Sequence, residues 1–137
     1  MKLFLISHGK FCEGLLDSYQ MIAGESQDIF TLSLTDAGIQ DFSDGLAMML
    51  AKREKEDVLI LTDIKGGTPY NEAYKQYLLD QEHIGVVAGM NLPMVIEVGL
   101  NLSNKSLIEL VEMAIEIGRG GIQGVTEESS MENDLEF

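Results

Sequence analysis

Apolar positions along this chain fall into two kinds of pattern. Four short, largely apolar runs predict buried strands. They cover residues 2–7, 29–34, 58–62 and 84–88. Between these runs, apolar side chains recur three or four residues apart, which predicts helices with one buried face. The predicted helices cover residues 11–22, 39–50, 68–77, 92–100 and 107–117.

Polar and glycine residues predict where some of these helices begin and end. Thr35 or Asp36 is expected to cap the second helix, and Ser103 or Asn104 is expected to cap the fifth. Their side-chain oxygens can accept hydrogen bonds from the free backbone N–H groups of a first helical turn. The glycine-rich stretch 118–121 is expected to stop the fifth helix.

Strands that alternate with helices predict a doubly wound α/β fold, with a mainly parallel sheet and helices on both faces. The right-handed crossover rule and the short chain favour the strand order 2-1-3-4. In this order the winding direction reverses between the first and third strands, and ligands bind at the carboxyl ends of the strands at such a point. Residues 1–126 are expected to form one domain, in which residues 122–126 add a short fifth strand.

The charged residues exclude some classes of partner. The formal net charge is −14, and residues 127–137 contain five acidic residues but no Lys or Arg. These last residues are expected to form a disordered acidic tail. A surface of this sign repels nucleic acid and anionic membranes, so we expect no nucleic-acid partner. The surface can attract a basic protein, although acidic surfaces also serve solubility alone.

The sequence also indicates the cellular compartment in which the protein acts. The apolar stretch 86–100 is broken by Asn91, Pro93 and Glu97, so it does not predict a membrane span. The first residues lack the long apolar region and cleavage site of a secretory signal. The single cysteine, Cys12, excludes an internal disulfide and fits a reducing environment. These features together predict a cytoplasmic protein.

Two residues with chemical potential follow neighbouring strands of the predicted sheet. His8 lies at the carboxyl end of the first strand, and Asp63 lies at the carboxyl end of the third. With the order 2-1-3-4, the two side chains are expected to meet at the point of reversal. A carboxylate bonded to one ring nitrogen fixes the histidine tautomer and leaves the other nitrogen as a nucleophile. The pair therefore predicts a phosphoryl-accepting histidine.

The segment after Asp63 offers a place for the phosphoryl oxygens. Gly66 and Gly67 let the backbone approach an anion closely. A helix is predicted to begin at Thr68-Pro69, and its free N–H groups and dipole favour an anion. The Thr68 hydroxyl can either cap this helix or donate to a phosphate oxygen. Phosphoryl transfer depends mainly on positioning and charge stabilisation, which this arrangement can supply.

Other residues with reactive or adaptable side chains give weaker predictions. His83 is expected to face solvent, and Cys12 is expected to pack against the first helix. Two histidines and one cysteine predict no zinc site, and the absence of phosphate-binding P-loop or dinucleotide fingerprints predicts no nucleotide cofactor. The methionines are expected to fill the core, except that Met90 and Met94, which flank Asn91, are candidates for lining the site together with Asn91 itself.

Three motifs resemble those of a known family. Ser7-His8-Gly9 is the first, and the second combines residues 61–63 with the stretch 66–71. The third motif covers residues 88–94 and reads AGMNLPM. In this order and spacing they resemble the IIA domains of the mannose family of the phosphoenolpyruvate-dependent sugar phosphotransferase system (PTS). The resemblance covers about residues 1–125.

The resemblance implies a role in sugar uptake. In this family the histidine of the first motif, here His8, accepts a phosphoryl group from the phosphocarrier protein HPr. It then passes the group to a IIB component, which phosphorylates sugar entering through the membrane components IIC and IID. Asp63 matches the aspartate that hydrogen-bonds this histidine. Gly67 and Thr68 match positions that bind the phosphoryl group, and Gly9 and Gly66 are expected to bind it as well.

The chain departs from the family pattern at two places. Ser7 stands where a threonine is frequent, which keeps a hydroxyl beside the site. Lys65 stands in a position where tryptophan can occur and adds a positive charge.

Family members form homodimers, often with an exchanged C-terminal strand, and residues 122–126 are the candidate here. The given chain ends after its acidic tail, so the IIB component is expected to be a separate protein, unless the chain is part of a longer protein that contains it.

Three other functions stay open on the sequence. The first is the phosphotransfer subunit of a dihydroxyacetone kinase, although the stretch from Gly66 to Pro69 argues against it. The second is a regulatory domain in which a phosphorylated histidine acts as a signal. The third is a domain that binds a small anion without transferring it. The transported sugar cannot be identified from this chain, because a IIA domain contacts proteins and not sugar.

Overall fold

A computed structural model describes residues 1–127, which form four strands and five helices. The strands are β1 (Lys2–His8), β2 (Ile29–Leu34), β3 (Val58–Thr62) and β4 (Ile84–Ala88). The helices are α1 (Phe11–Ala23), α2 (Ile39–Ala51), α3 (Thr68–Leu79), α4 (Leu92–Leu100) and α5 (Leu107–Gly120). Residues 128–137, which hold most of the predicted acidic tail, lie outside the described residues.

The four strands form one parallel sheet in the order β2-β1-β3-β4, which confirms the predicted topology. β1 therefore lies between β2 and β3, and the register places Ile6 beside Thr62. Because all strands run in the same direction, their carboxyl ends lie along one edge of the sheet. Asp63 follows β3 at this edge, next to the end of β1 where His8 lies.

Each face of the sheet is covered by helices, as a parallel sheet requires. Side chains such as Leu5 and Leu61 join one hydrophobic cluster that includes residues of α1, α4 and α5. Ile6 and Ile60 point to the other face and join a second cluster with residues of α2 and the α3 residue Ala73. All five residues of β3 are buried, so this strand supports both clusters. Truncating one of its leucines to alanine would cost about 2–5 kcal/mol of stability.

Two of the predicted helix caps are wrong. The residue that precedes α2 is Gly38, with no side-chain cap. The Thr35 hydroxyl instead accepts a hydrogen bond from the N–H of Ala37, which closes the turn before the helix. The cap of α5 is Ser106, which forms a reciprocal capping box with Glu109. Ser103 and Asn104 lie in the turn before the helix, so neither occupies the capping position.

α5 ends within the predicted glycine-rich stretch, at Gly120, and Gly118 still belongs to the helix. A side chain at Gly118 would place its Cβ 2.6 Å from Cε of Met94. This glycine therefore allows α4 and α5 to pack closely. Residues 122–126 form no strand within the described chain, so their exchange in a dimer stays a prediction. Among residues 1–127, no helix has the length and apolar character needed to cross a bilayer.

Candidate functional site

The structure brings His8 and Asp63 into direct contact at the carboxyl edge of the sheet. The Oδ2 atom of Asp63 lies 2.7 Å from Nδ1 of the His8 ring. The same oxygen accepts a hydrogen bond of 2.9 Å from the backbone N–H of His8. Two bonds from one residue to one carboxylate oxygen fix the distance between the strand ends and the orientation of the ring.

Asp63 is held in its ionised form by its hydrogen bonds. Partial burial by itself would raise the pKa of Asp63. The backbone and ring N–H groups of His8 and the backbone N–H of Ile64 outweigh this effect, and the pKa of Asp63 is lowered. An ionised carboxylate only accepts hydrogen bonds, so Nδ1 of His8 carries the ring proton when the ring is neutral. The lone pair that can attack an electrophile then lies on Nε2.

Gly67 lies directly against the reactive side of the His8 ring. A Cβ atom at this position would lie 2.7 Å from Cε1 and 3.4 Å from Nε2 of His8. The first distance is too short for any real side chain, so the ring position requires glycine here. The His8 side chain is half exposed, with 50% of its area accessible, while Asp63 is mostly covered at 14%. The His8 ring is thus partly open to solvent, and Gly67 presents no side chain to it.

The amino terminus of α3 follows this glycine directly. Gly67 is the residue before the helix, and no side chain caps it. The backbone N–H of Asn71 donates to the carbonyl of Gly67. The side-chain amide of Asn71 donates to the carbonyl of Gly66 at 3.3 Å. Gly66 has a φ of +85°, a conformation that favours glycine and lets the loop turn toward His8. The Thr68 hydroxyl therefore does not cap the helix, which leaves the second predicted role, donation to an anion.

Ser7 and Gly9 brace the loop that follows His8. The Ser7 hydroxyl is buried; it donates to the carbonyl of Gly9 at 3.0 Å and accepts from the N–H of Cys12 at 2.8 Å. The N–H of Gly9 donates to the carbonyl of Leu34 at the end of β2. Ser7 was predicted to line the site and Gly9 to bind the phosphoryl group. Both predictions need correction, because these bonds occupy the Ser7 hydroxyl and the Gly9 N–H. Neither group is free to contact a phosphoryl group.

Met90 and Asn91 also differ from the prediction that they line the site. Met90 is buried in the cluster beneath α4 and α5. The side-chain oxygen of Asn91 caps α4 by accepting from the N–H of Met94, and its amide nitrogen donates to the carbonyl of Gly118. Packing and capping therefore account for both side chains. Lys65 is exposed on the loop, and no ion pair with it is found within residues 1–127.

The sequence interpretation missed the contribution of Ile64. Its backbone N–H donates a hydrogen bond of 2.9 Å to Oδ1 of Asp63, so both carboxylate oxygens are held. No side-chain signal could have indicated this bond, because any residue except proline supplies the same N–H group. Within residues 1–127, no group of three or more His, Cys, Asp or Glu side chains is arranged to hold a metal ion.

Comparisons with known proteins agree in placing this chain among PTS components. A family model described as "PTS system fructose IIA component" matches residues 2–115. The chain is 32% identical over 118 residues to the sorbose-specific EIIA component of the PTS from Lacticaseibacillus casei, and the match covers 85% of each chain.

Two further similarities concern the mannose branch. Identity to the mannose-specific EIIAB component of Escherichia coli K12 is 32% over 122 residues, which cover 87% of this chain but only 38% of that protein. The chain thus spans little more than a third of that relative. The solved mannose/sorbose-specific IIA subunit from Enterococcus faecalis superimposes with a TM-score of 0.80 at 34% identity. That superposition covers 91% of this chain and 94% of the other.

Proposed function

Because this chain belongs to the mannose-type IIA family of the PTS, whose members relay phosphoryl groups, we propose that His8 is its phosphoryl acceptor. The group arrives from phosphorylated HPr and leaves to a histidine of a IIB component. Residues 1–126 serve as the IIA phosphotransfer domain of a mannose-family sugar uptake system. The relatives named for sorbose and mannose support this family of systems and do not identify one sugar.

One observation carries the proposal most directly. The ionised Asp63 lies 2.7 Å from Nδ1 of His8, which leaves Nε2 as the nucleophilic nitrogen. A Cβ at Gly67 would lie 3.4 Å from Nε2, so the glycine adds no side chain of its own on this side of the ring.

The transfer step follows from this geometry. The lone pair of Nε2 attacks phosphorus, the new N–P bond forms, and the N–P bond to the donor histidine breaks. The donor nitrogen keeps the electron pair of the broken bond. The His8 ring becomes positively charged, because its proton stays on Nδ1, and Asp63 stabilises this charge across the 2.7 Å contact. Transfer to the IIB component repeats these events in the opposite direction.

The oxygens of the phosphoryl group need partners as well. The free N–H groups at the start of α3 and the Thr68 hydroxyl supply hydrogen bonds beside Gly67. Lys65, two residues after Asp63, supplies a positive charge on a flexible side chain. Gly66, with a φ of +85°, shapes the loop and is counted with Gly67 and Thr68 among the residues that bind the group. The N–H of Gly9 takes no part, since it bonds to Leu34.

The remaining expectations from the family belong to the same proposal. The protein acts in the cytoplasm as a homodimer, with residues 122–126 exchanged between subunits. It meets the membrane components IIC and IID only through the IIB component, and it needs neither a cofactor nor nucleic acid. The acidic surface, with a net charge of −14, agrees with a role among soluble protein partners.

Labelling with radioactive phosphoenolpyruvate tests the proposal. Wild-type protein should gain an acid-labile phosphoryl group only when enzyme I and HPr are both present. His8→Ala should abolish the label, because the substitution removes the ring nitrogen that accepts the phosphoryl group. The matched variant His83→Ala changes the other histidine of the chain and should keep the label. Undiminished labelling of His8→Ala would contradict the assignment.

A further inference from the structure

Asn71 connects the first turn of α3 to the loop beside His8. It is the fourth residue of the helix and is exposed. Asparagine forms helices less readily than alanine, so helix propensity does not account for this residue. Its side-chain amide donates to the carbonyl of Gly66 at 3.3 Å. We call the loop that contains Gly66 and Gly67 the glycine loop, and this bond holds it to the helix.

The side-chain bond of Asn71 also sets the direction of a donor on the other side of the glycine loop. The carbonyl of Gly66 and the N–H of Gly67 belong to one peptide unit. No peptide bond within residues 1–127 is cis, so these two groups point in opposite directions. The N–H of Gly67 therefore points away from the Asn71 side chain. There it makes a long bond of 3.5 Å to the carbonyl of Ile64, which leaves it only weakly engaged.

The backbone of Asn71 orients the next peptide unit in the same way. Its N–H donates to the carbonyl of Gly67 at 2.9 Å. The opposite end of this unit is the N–H of Thr68, for which no acceptor is found within residues 1–127. Asn71 thus holds the carbonyl ends of two successive peptide units. Their N–H ends belong to Gly67, which contacts the His8 ring, and to the residue that follows it.

The glycine loop needs such a constraint because its backbone is easily deformed. Gly66 has a φ of +85°, and neither Gly66 nor Gly67 has a Cβ atom to restrict rotation. Rotation of the peptide unit between them would turn the N–H of Gly67 toward α3 and the carbonyl of Gly66 toward the opposite side. A carbonyl oxygen in that place would repel the oxygens of a phosphoryl group. The bond from Asn71 opposes this rotation.

Resting on the proposed function, we propose that Asn71 is a positioning residue for phosphoryl transfer. Its side-chain amide fixes the peptide unit between Gly66 and Gly67, so that the N–H of Gly67 donates to an oxygen of the phosphoryl group on His8. Asn71 does not touch this group and acts only through the glycine loop. Hydrogen bonds to charged oxygens stabilise a transition state most when the donors are oriented before the reaction.

Two alanine variants separate this role from a general effect of losing an amide. Asn71→Ala removes the side-chain bond and keeps the backbone bond, and it should fold because the residue is exposed and alanine favours a helix. Asn101→Ala is the matched control. The side-chain amide of Asn101 also donates to a backbone carbonyl in an exposed bond, that of Glu97 at 2.7 Å. This bond lies at the end of α4, away from the carboxyl edge of the sheet.

Rapid-quench kinetics at increasing concentrations of phosphorylated HPr separate binding from transfer. In Asn71→Ala the maximal rate constant should fall about tenfold, while the half-saturating concentration of HPr stays unchanged, because a poorly oriented donor loses transition-state stabilisation. Asn101→Ala should keep both wild-type values. Equal maximal rate constants in the two variants would overturn the proposal. So would a loss confined to the half-saturating concentration, which would assign Asn71 to contact with the donor protein.

Amide NMR spectra give a readout that a purely structural role would not change. On phosphorylation of the wild type, the N–H signal of Gly67 should move downfield, because this group gains a charged acceptor. The movement should be smaller in Asn71→Ala and complete in Asn101→Ala. A slower reaction of Asn71→Ala with a complete movement of the Gly67 signal would overturn the positioning role.

The two proposals fail in different ways in these experiments. If wild-type protein gains no phosphoryl group on His8 from phosphorylated HPr, the proposed function fails. If wild-type His8 is phosphorylated and Asn71→Ala matches Asn101→Ala in rate and spectrum, only the inference about Asn71 fails.

Discussion

Two pairs of histidine and aspartate lie at opposite edges of the same sheet. His8 and Asp63 meet at the carboxyl edge, with 2.7 Å between Nδ1 and Oδ2. His83 and Asp57 meet at the amino edge, just before β4 and β3, with 2.8 Å between Nδ1 and Oδ1. The two rings are also equally exposed, at 50% and 49%. Contact between a ring and a carboxylate is therefore not what distinguishes the candidate site.

The surroundings of the second ring nitrogen make the difference. Nε2 of His8 lies beside the bare backbone of Gly67, whereas Nε2 of His83 lies 4.0 Å from a carboxylate oxygen of Glu82. The hydrogen bond to Asp57, together with nearby carboxylates, raises the pKa of His83 despite the opposing effect of desolvation. A protonated ring has no free lone pair, and the surrounding carboxylates repel a phosphoryl group.

The amino edge has a structural role instead. Ion pairs join Lys2 to Asp28 and Glu56, and Arg53 to Asp80, in the same region as the pair of His83 and Asp57. These contacts link segments that are far apart in the chain. At the carboxyl edge, the pair of His8 and Asp63 is itself such a link, and glycines and half-exposed apolar side chains lie in the same region. The proposed function uses the edge where one ring nitrogen of the pair is left without a carboxylate partner among the described residues.

Replacing the two aspartates should give the largest contrast between the edges. Asp63→Asn removes the charge that holds the proton on Nδ1, so transfer from HPr should slow about a thousandfold, as expected for loss of the correct tautomer. Asp57→Asn makes the same chemical change beside His83 and should leave the rate at the wild-type value. Rapid-quench measurement of phosphoryl transfer to each variant checks this. Similar rates for the two variants would remove the distinction between the pairs.

A smaller loss is expected when a methyl group is added at the glycine loop. In Gly67→Ala the new Cβ would meet Cε1 of His8 at 2.7 Å and push the ring or the loop aside. A displacement of about 1 Å costs about a hundredfold in rate for an aligned reaction. Gly14→Ala, in α1, adds the same methyl group where nothing lies within 4 Å and is the control. The same transfer assay measures both, and equal rates would contradict the close contact at Gly67.

The smallest effects concern stability, and they have opposite signs at the two edges. The pKa of His83 is raised in the folded protein, so its contribution is present below about pH 6.5 and is lost as pH rises through the folded pKa. The pKa of Asp63 is lowered, so its contribution is present above about pH 4 and is lost as pH falls through the folded pKa.

Urea unfolding of two variants across pH checks these signs. His83→Gln should lose more stability relative to wild type at about pH 5 than at about pH 9. Asp63→Asn should lose more at about pH 7 than at about pH 3. Measured unfolding free energies that differ from wild type by a constant amount at every pH would show that neither ion pair is formed as described.

Much of the fold could be predicted because its signals are carried by side chains. The apolar runs of β2, β3 and β4 match the observed strand bounds, and strand alternation was sufficient for the sheet order. The cap of α5 was predicted wrongly because several adjacent polar residues can serve as caps, and only the backbone turn selects Ser106. The glycine-rich stretch 118–121 contains the end of α5, as predicted, but the close packing of Gly118 against Met94 left no signal in the sequence.

The site was predictable to a similar degree. His8 and Asp63 could be paired because strand ends follow from the apolar pattern and neighbouring ends follow from the topology. Backbone geometry decides three other contacts of the site. They are the bond from the Gly9 N–H to Leu34, the buried bond of the Ser7 hydroxyl, and the bond from the Ile64 N–H to Asp63. Each of these contacts has a main-chain group as at least one partner, and because every sequence shares such groups, the contacts leave no pattern in the residues.

The position of the phosphoryl group on the protein tests the account most directly. The protein has two histidines, so long-range ¹H–¹⁵N spectra of the ¹⁵N-labelled, phosphorylated chain can assign the N–P bond to one ring and one nitrogen. The account predicts a single phosphorylated ring, His8, substituted at Nε2, with the proton on Nδ1 facing Asp63. A phosphoryl group on His83, or on Nδ1 of His8, would contradict it.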